Sequence, residues 1–414
     1  MNIAYYSHYF APEIGAPSAR IYDLSQQWLA MGHQVQVITC FPNHPVGKLY
    51  PGYTPGFYMH ETLDGIHVHR HWTYITPNKG FIRKTAGHLS YLPSYMLLCN
   101  RHVEDSHITI GTSPTFFAAM AAAWTARIRK VPFIMEIRDL WPAIFVELGV
   151  LKNPWIIRLL ERWEHGLYRG ATRIVTVTEA FRQNLIERGV PENKVVTIRN
   201  GADVEFWCPT KPPGVLRKKL GLEGCFVVLY IGAHGISHAL ASILESARRL
   251  KNHSHVQFVF VGEGAEKDKL VKQARQGGLN NVKFLEPVDK QSVREFYALA
   301  DVCLVPLRDI PLFSTFIPSK MFEMLAMGRP IIGSVRGESA DILRESGGAL
   351  VVEPEDSEAI AQTILWINEH EDEAREMGKK GRQFVMQNYS RRSLAALYVE
   401  VMDEAIEEYD RNAT

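Results

Sequence analysis

Residues 2–40, "NIAYYSHYFAPEIGAPSARIYDLSQQWLAMGHQVQVITC", combine an apolar run, a glycine-bearing loop, an amphipathic stretch and a second apolar run. Neighbouring parallel strands need a long crossover between them, and that crossover is usually a helix. Apolar runs that alternate with helical patterns therefore indicate β–α–β units whose strands form a sheet buried on both faces. This stretch predicts an α/β fold with a parallel sheet.

The same alternation occurs in both halves of the chain. The apolar runs of the first half are "NIAYYS" (2–7), "QVQVITC" (34–40), "HITIGT" (107–112), "PFIMEI" (132–137), "RIVTVT" (173–178) and "KVVTIR" (194–199). After the proline-rich "CPTKPPG" (208–214) follow "FVVLYIG" (226–232), "VQFVFVG" (256–262), "VKFLEP" (282–287), "VCLVPL" (302–307), "PIIGSV" (330–335) and "ALVVEP" (349–354). Because 414 residues exceed what one core usually organises, we predict two domains. The predicted parts are domains at 1–203 and 216–390, a linker at 204–215 and a C-terminal helix at 391–414.

The composition is that of an ordinary globular protein, with 46% hydrophobic and 22% charged residues. The net charge of +1 excludes a global field that attracts nucleic acid. Five scattered cysteines without metal-ligand spacing predict reduced thiols in a cytoplasmic protein. The N-terminus has no signal-peptide pattern, and the longest apolar run, "FFAAMAAAW" (116–124), is shorter than the roughly 20 residues that cross a bilayer.

Ligands of open parallel sheets bind beyond the carboxyl ends of the strands, so the loops there are the candidate sites. Gly262, Glu263 and Gly264 end one strand and open a helix, where backbone N–H groups can approach a phosphate closely. Gly15 lies in the loop after the first strand and offers similar donors. A plain strand-to-helix turn at the first place and a flexible loop at the second are the alternatives.

Two other loops carry polar residues. In "MEIRDLWP" (135–142), Arg138 and Asp139 follow a buried strand at the edge where sites form, and a turn cap or a structural pair is the alternative. In "TIRNGADVEFWCP" (197–209), Asn200 and Gly201 form a turn signal close to the predicted domain junction, which suggests a hinge.

The segment "FIPSKMFEMLAMGRP" (316–330) is an apolar helix with one carboxylate. Pro318 bars the helix from extending upstream, and Ser319 fits an N-cap. The free N–H groups of the helix start and the charge of Lys320 suit a diphosphate, while Glu323 could accept hydrogen bonds from the two hydroxyls of a ribose. The alternative is a Lys320–Glu323 ion pair three residues apart on the helix.

The ordered set of motifs "PEIGAPSARIYDLSQQWLAMGHQV", "RNGAD", "VGEG", "REFYALADVCLVP" and "PSKMFEMLAMGRPII" resembles the retaining glycosyltransferases of family 4, in the branch that builds bacterial surface polysaccharides. The resemblance implies the GT-B fold, with two Rossmann-like domains whose sheets face each other across a cleft and a C-terminal helix that packs back on the first domain. It further implies metal-independent transfer with retention, from a nucleotide sugar (UDP favoured) to a lipid-linked or oligosaccharide acceptor, and no cofactor. The sequence contains no Asp-x-Asp motif.

The resemblance also implies roles for individual residues. Asp139 and Lys320 are the catalytic candidates, Glu323 would hold the ribose, and the backbone of Val288 would read the base. The candidate donor-site residues are Gly15, Gly232, His234, Ser237, His238, Gly262, Glu263, Gly264, Val288, Thr315, Phe316, Ile317, Pro318, Ser319, Lys320 and Glu323. Residues expected near the acceptor or the transferred sugar are Glu13, Arg138 and Asn200.

The chain departs from the family pattern in two places. Thr315 stands where many members have a glutamate, so the resemblance does not identify the sugar. Ala233 follows Gly232 where many members have an arginine, and Ser237 and His238 stand near a usual lysine. We therefore expect a protonated His234 or His238 to act as a phosphate donor, with a simple turn hydrogen bond as the alternative.

The basic and aromatic segment 69–102 suggests peripheral membrane contact through residues 79–95, against the alternative of an ordinary surface helix. The interleaved residues are Lys79, Phe81, Ile82, Arg83, Lys84, Leu89, Tyr91 and Leu92. Two other functions stay open from the sequence. A nucleotide-sugar 2-epimerase could share the fold, and the departures at 233 and 315 would suit a non-catalytic partner that binds nucleotide or glycan.

Overall fold

The computed structural model describes residues 1–13, 15–44, 47–76, 81–113, 115–143, 146, 151–211 and 214–413, without the side chains of 16, 17, 81–84 and 413. The chain forms two compact units. The first comprises Met1–Arg199 and Arg391–Thr414, and the second comprises Asn200–Ser390. Each unit contains one sheet with helices packed on it, which confirms the predicted α/β class with two parallel-sheet domains.

The sheet of the first unit has the strand order β3-β4-β2-β1-β5-β6-β7-β8. All neighbouring strands are parallel except β3 and β4, which form an antiparallel pair at one edge. The strands are β1 Asn2–Tyr6, β2 Gln34–Cys40, β3 Tyr58–Leu63, β4 Ile66–His71, β5 Ile108–Thr112, β6 Phe133–Ile137, β7 Arg173–Thr176 and β8 Val195–Thr197. The described helices are α1 Ala16–Ala30, α2 Phe81–Leu89, α3 Tyr91–Ser94, α4 Phe116–Arg129, α5 Pro154–Gly170 and α6 Glu179–Glu187.

The C-terminal helix, Arg391–Ala413, belongs to the first unit and packs on α1. The indole nitrogen of Trp28 donates to the carbonyl of Ala395 at 3.2 Å. The Trp28 ring also meets the ring of Tyr398 edge to face, with centroids 5.3 Å apart. Because both aromatic residues are fully buried, this contact is part of the core of the first unit, and the prediction for the C-terminal helix is confirmed.

The sheet of the second unit is wholly parallel, in the order β11-β10-β9-β12-β13-β14. Its strands are β9 Phe226–Ile231, β10 Val256–Val261, β11 Val282–Leu285, β12 Val302–Pro306, β13 Ile331–Ser334 and β14 Ala349–Val352. Its described helices are α7 Gly214–Leu220, α8 Leu240–Arg249, α9 Lys267–Gln276, α10 Lys290–Leu299, α11 Lys320–Ala326, α12 Glu338–Glu345, α13 Ser357–Glu369 and α14 Glu371–Asn388.

The central strand β9 shows why the apolar runs are continuous rather than alternating. Val227 and Leu229 join the core on one face of the sheet, whereas Val228 and Tyr230 join the core on the other. Successive side chains of a strand point to opposite faces, so a strand covered on both sides needs an apolar residue at every position. The strand order switches direction next to β9, which places the ends of β9 and β12 where open parallel sheets bind ligands.

The chain enters the second unit at Asn200, a few residues before the predicted linker at 204–215. Trp207 lies in that stretch and is buried in the core of the second unit. The guanidinium of Arg382 on α14 donates to the carbonyl of Trp207 at 3.0 Å and to the carbonyl of Val204 at 3.4 Å. These contacts tie the start of the segment to the second unit.

The segment predicted to touch a membrane is described only in part. Lys79 lies outside the described residues, as do the side chains of Phe81, Ile82, Arg83 and Lys84. Leu89 is exposed, but Tyr91 is wholly buried and its hydroxyl donates to the carbonyl of Ile38 at 2.7 Å, so its expected surface position is wrong. Among the described residues, no helix is both long enough and apolar enough to cross a bilayer.

Candidate active site

The end of β9 and the start of α11 meet at Lys320. The Lys320 ammonium lies 3.8 Å from the centroid of the Tyr230 ring and donates to the carbonyl of Ile231 at 3.4 Å. Gly232 follows directly with a φ of +143°, and a Cβ there would lie 3.4 Å from the same ammonium. The second unit therefore brings Gly232 and Lys320 together at the carboxyl end of the sheet, although 88 positions separate them in the sequence.

The charge of Lys320 is only marginally stable in this position. Burial lowers the pKa of Lys320 to about 7, against the opposing influence of Cys303 and Glu323. A cation over an aromatic face is attracted by the electrons of the ring, but it loses the water that would hydrate it. An anion placed beside the ammonium would restore its charge, which is a property of a binding residue rather than of a purely structural one.

Glu323 has a partner that the sequence reading did not identify. The hydroxyl of Tyr297 on α10 donates to Oε2 of Glu323 at 3.2 Å, and no described ion pair joins Lys320 to Glu323. Burial raises the pKa of Glu323 to about 7, and the Tyr297 hydrogen bond opposes that rise. A tyrosine buried in an amphipathic helix usually finds a hydrogen-bond partner for its hydroxyl. The tyrosine in "REFYALADVCLVP" was therefore the sequence feature that indicated such a contact.

The glycines of "VGEG" are explained by a neighbouring loop. A Cβ at Gly262 would lie 2.0 Å from the carbonyl oxygen of Gly232, and a Cβ at Gly264 would lie 2.5 Å from that of His234. The backbone N–H of His234 donates to the carbonyl of Glu263 at 2.8 Å, which joins the two loops. The glycines thus allow close packing between the loops after β9 and β10, where the sequence suggested close approach to a phosphate.

His234 is an unsatisfied buried group. Its side chain is fully buried, and neither ring nitrogen has a hydrogen-bond partner in the described part of the chain. Its ring lies among those of Tyr230, Phe260 and Phe284. Burial, with a contribution from Lys267, lowers the pKa of His234 to about 4. A buried polar group without a partner costs stability, so one that persists is a candidate for a ligand contact.

His238 lies beside Ser237, with 3.2 Å between its Nδ1 atom and the serine Oγ atom. Burial and the charge of Lys320 lower the pKa of His238 to about 3. Burial thus holds the pKa values of both candidate histidines well below 7 in the absence of an anion, and the imidazole protonated by a bound anion stays a prediction. A neutral imidazole still has one N–H donor, so either residue can donate to a phosphate oxygen without carrying a charge.

Ser319 does not cap α11 as predicted. Its backbone is already helical and its hydroxyl makes no capping hydrogen bond, although it stands at the N-cap position. Instead, the amide nitrogen of Asn200 donates to the Ser319 hydroxyl at 3.0 Å, which brings Asn200 to the donor-site segment within the second unit. α11 has only seven residues, so its dipole is short and Lys320 carries most of the positive charge at its start.

The other predicted residues around this site have structural partners. The Thr315 hydroxyl donates to the carbonyl of Leu312 at 2.7 Å, and the Phe316 carbonyl accepts from the Ser339 hydroxyl at 2.6 Å. Ile317 is buried, and the carbonyl of Pro318 accepts from the Met321 N–H at 3.0 Å.

Two further predicted donor-site residues, Glu263 and Val288, lie beside β10 and β11. Glu263 is exposed and forms an ion pair with Lys267 at 3.0 Å. Lys267 also pairs with Glu286 at 2.9 Å, so the positive charge next to the "VGEG" loop is neutralised by carboxylates. Val288 packs against the core of the second unit.

In the first unit, Asp139 lies two residues beyond the end of β6. Its backbone carbonyl accepts from the Ser113 hydroxyl at 3.2 Å, and the same hydroxyl accepts from the Arg138 N–H at 3.2 Å. Burial raises the pKa of Asp139 to about 6, against the opposing charge of Arg138. These hydrogen bonds hold the loop through its backbone. The carboxyl group of Asp139 is therefore the group that could contact a ligand at this end of the sheet.

Glu13 organises the loop after β2. Its carboxylate accepts from the backbone N–H groups of Phe10, Asn43 and His44 at 3.2, 2.7 and 2.8 Å. Burial raises the pKa of Glu13 to about 7, although these hydrogen bonds oppose the rise. Gly15 precedes α1, and its carbonyl accepts from Ala19 in the first turn. Both residues thus lie at the carboxyl ends of β1 and β2, the edge of the sheet at which the sequence predicted ligand binding.

Glu136 is a further residue that sequence reasoning missed. It is fully buried on β6 and accepts from the Tyr5 hydroxyl at 2.6 Å and from Arg20 at 3.2 Å. Burial alone would raise the pKa of Glu136, but Arg20 and Arg138 outweigh it, and the pKa lies below its ordinary value. A buried carboxylate needs such partners. The glutamate inside the apolar run "PFIMEI" was therefore the sequence feature that indicated a buried ion pair.

Two α/β units, each built on a mainly parallel sheet, with a lysine and a glutamate one turn apart at the carboxyl end of the second sheet, agree with the resemblance to glycosyltransferases of the GT-B type. Comparison with known proteins agrees. Residues 15–201 match the glycosyl transferase 4-like domain, and residues 225–370 match the glycosyl transferases group 1 domain. The chain therefore belongs to the glycosyltransferases that combine these two domains, and it is an enzyme.

Individual relatives extend over nearly the whole chain. The chain is 25% identical over 394 residues to WcaI of Escherichia coli (strain K12), a protein named for glycosyl transfer in colanic acid biosynthesis, and the match covers 92% of this chain and 96% of WcaI. Among solved structures, HepE of Anabaena in complex with UDP and glucose has a TM-score of 0.71 at 16% identity, over 97% of this chain and 99% of HepE. Sucrose-phosphate synthase of Thermosynechococcus elongatus has a TM-score of 0.70 at 16% identity, over 98% and 99%. At 16% sequence identity, the likeness to these two structures shows the fold alone.

Proposed function

We propose that this enzyme transfers a sugar from a UDP-sugar to a growing, lipid-linked surface polysaccharide, with retention at the anomeric carbon and without a metal ion. The observation that carries the proposal is the pair Lys320 and Glu323, partly buried at the end of β9 with both pKa values near 7. The complex of HepE with UDP and glucose supports the choice of UDP. The biosynthetic role in the name of WcaI supports a polysaccharide acceptor.

Glu323 is proposed to hold the ribose. Ionised Glu323 can accept hydrogen bonds from both ribose hydroxyls, while the Tyr297 hydroxyl occupies another acceptor position on Oε2. Tyr297 would therefore fix the direction of the carboxylate before the nucleotide arrives. Preorganisation of this kind reduces the entropy that binding must otherwise lose.

Lys320 is proposed to stabilise the leaving diphosphate. During transfer, the bond between the anomeric carbon and the phosphate oxygen breaks, and the bond to the acceptor oxygen forms on the same face of the sugar. The proton of the acceptor hydroxyl moves to the leaving phosphate oxygen, so no protein nucleophile is needed. Negative charge grows on the diphosphate in this step, and a fixed cation aimed at it can contribute a few kcal/mol.

Further residues would assist these steps. His234 and His238 are proposed as neutral N–H donors to the diphosphate. Asp139 is proposed to position the acceptor or to stabilise positive charge on the transferred sugar, and Glu13 to shape the acceptor loop. Peripheral membrane contact through 79–95 stays part of the proposal, because a lipid-linked acceptor would lie at a bilayer surface.

Calorimetric titration with UDP, GDP and ADP tests the nucleotide site. We expect wild type to bind UDP most tightly and Glu323→Ala to lose at least tenfold in affinity, about 1.4 kcal/mol. Glu376→Ala, on the exposed part of α14, is the matched control and should bind normally. Equal UDP binding by wild type and Glu323→Ala would overturn the assignment of the ribose.

The reaction itself is tested by the configuration of the product. We expect proton NMR to show the anomeric configuration of the donor retained, and EDTA to leave the rate unchanged. Inversion, or a rate abolished by EDTA and restored by a divalent cation, would overturn the corresponding part of the proposal. Conversion of the donor to its 2-epimer without any acceptor would replace transfer by epimerisation.

A further inference from the structure

Helix α5, Pro154–Gly170, exposes an apolar face that none of the described residues covers. The exposed fractions are 76% for Trp155, 46% for Ile156, 46% for Leu159 and 36% for Trp163. Trp155, Leu159 and Trp163 are spaced four residues apart, so they form one line along the helix, and Ile156 lies beside that line. Isolated exposed apolar residues are common on proteins, but a continuous stripe with two tryptophans marks an interaction surface.

The helix is a rigid element rather than a loose segment. Asn153 caps its start by accepting from the N–H groups of Trp155 and Ile156 at 3.0 and 3.4 Å. On the opposite side, Glu164 and Tyr168 are buried, and Leu167, which continues the line of the stripe four residues beyond Trp163, is buried as well. The stripe is therefore held outward by packing on the other face of the same helix.

The inner face of α5 is also fixed by a buried carboxylate. Glu164 accepts from the Tyr168 hydroxyl at 2.5 Å and forms an ion pair with Arg188. Because a half-satisfied buried carboxylate would be costly, the ion pair with Arg188, which lies outside α5, restrains the rotation of the helix about its axis.

Positive charge lies along one flank of the stripe. Arg158 and Arg162 follow Trp155 by three and seven residues, which places them next to the apolar line. Among the described residues, neither guanidinium forms an ion pair with a carboxylate, and that of Arg158 lies 5.6 Å from the centroid of the Trp155 ring. Glu161 is the acidic residue of the exposed surface, and it stands further round the helix, away from the apolar line.

We propose that the α5 face, made of Trp155, Ile156, Arg158, Leu159, Arg162 and Trp163, docks the enzyme on an anionic lipid bilayer. Aromatic rings and aliphatic side chains enter the boundary between headgroups and acyl chains, and tryptophan favours that boundary. Arginines beside them are attracted by the negative surface of anionic lipids. A second copy of the chain is a poorer occupant, since its arginines would approach those of the first copy. This inference does not depend on the proposed donor or acceptor.

Vesicle co-sedimentation of the full chain tests the proposal. We expect binding to vesicles of phosphatidylglycerol and phosphatidylcholine in equal parts, weak binding to pure phosphatidylcholine, and loss of binding at high salt. Arg158→Glu with Arg162→Glu should reduce binding at least tenfold. Arg375→Glu with Lys379→Glu, two exposed cations of α14, is the matched control and should bind as wild type does.

A second measurement separates insertion from charge alone. Quenching of tryptophan fluorescence by brominated lipids should be strong in wild type and largely lost in Trp155→Phe with Trp163→Phe, which keeps an apolar face. Vesicle binding of the variant Arg83→Glu with Lys84→Glu shows how much the segment 79–95 contributes to membrane binding, relative to α5.

Three outcomes would overturn the proposal. The first is wild type that does not bind anionic vesicles, and the second is binding that both α5 variants retain in full. The third is wild type that is dimeric by sedimentation while the α5 variants are monomeric, because the occupant would then be a second copy. Circular dichroism and thermal unfolding confirm that each variant is folded, so a wild type that fails to bind UDP would affect the proposed function without affecting this test.

Discussion

The hydroxyl of Tyr297 donates a hydrogen bond to the carboxylate of Glu323 across 3.2 Å, between a residue on α10 and one on α11. The contact connects two helices that follow different strands of the same sheet. The hydrogen bond orients the Glu323 carboxylate and gives its Oε2 atom a partner. The proposed ribose contact therefore depends on Tyr297 as well as on Glu323.

Tyr297→Phe should weaken UDP binding about fivefold. Removal of the hydroxyl frees the Glu323 carboxylate to rotate and takes away a hydrogen bond worth about 1 kcal/mol. The pKa of Glu323 should also rise further, because the hydrogen bond opposes the effect of burial. Calorimetry between pH 6 and pH 9 measures both effects. Tyr22→Phe removes a comparable hydroxyl that donates to Asp64 in the first unit, and it should leave UDP binding unchanged.

The pH profile of kcat/KM should be a narrow bell centred near pH 7. Lys320 must be protonated, and its pKa of about 7 means that this form is lost as the pH rises above 7. Glu323 must be ionised, and its pKa of about 7 means that this form is lost as the pH falls below 7. Such a profile reports the groups of the free enzyme.

Substitutions should remove the two limbs of that bell separately. Lys320→Arg keeps its charge at all accessible pH values and should flatten the alkaline limb, at some cost in rate. Glu323→Gln cannot ionise and should flatten the acid limb while raising KM. A profile that is flat from pH 6 to pH 9 in wild type would show that neither group titrates in the reaction.

His234→Phe should separate stability from binding. Phenylalanine resembles the imidazole in shape and fits among the rings of Tyr230, Phe260 and Phe284 without leaving buried nitrogens unpaired. We expect the thermal unfolding midpoint to stay the same or to rise by a few degrees, while UDP affinity falls several-fold. A lower midpoint with unchanged affinity would show that the imidazole serves folding alone.

Gly262→Ala should disrupt the donor loops. The added Cβ would lie 2.0 Å from the Gly232 carbonyl oxygen, a distance that only backbone movement can relieve. We expect the chain to lose UDP binding and to unfold several degrees earlier. Gly278→Ala is the control, because Gly278 also has a positive φ but its Cβ would meet nothing within 4 Å. That control should cost about 1 kcal/mol and leave binding intact.

Glu136→Ala should destabilise the first unit by about 3 kcal/mol, since it leaves the buried guanidinium of Arg20 without its carboxylate. The pKa of Glu136 is depressed in the folded chain, so its contribution is present above the ordinary glutamate pKa and is lost as the pH falls through the folded value. The difference between wild type and variant in urea unfolding should therefore shrink on strong acidification. Exposed Glu376→Ala should change stability by less than about 0.5 kcal/mol.

Much of the fold followed from local patterns. Apolar runs separated by helical stretches predicted both parallel sheets, because strands covered on two faces need continuous apolar side chains and parallel pairing needs a crossover. The resemblance also predicted that the C-terminal helix returns to the first domain, and Trp28 with Tyr398 shows how. These features depend on residues that are close in sequence, or on motifs in a fixed order.

The site was predictable in its residues but not in its contacts. Lys320 and Glu323 stood out because charged residues are rare in an apolar helix. Their partners Tyr230 and Tyr297 lie on other elements, and sequence spacing carries no information on which ring covers a given ammonium. Ser319 shows the same limit: its type and position fit a cap, but Asn200 occupies its hydroxyl.

Periodicity indicated the α/β class and composition singled out the two charged residues of α11, because both patterns act over one or two turns of chain, while the family followed from the resemblance of motifs in a fixed order. Burial of His234 and His238, the packing of the "VGEG" glycines against another loop and the exposure of two tryptophans on α5 became visible with the folded chain. The physical reason is that ionisation and exposure depend on which elements pack against a residue. That packing brings together segments dozens to hundreds of residues apart.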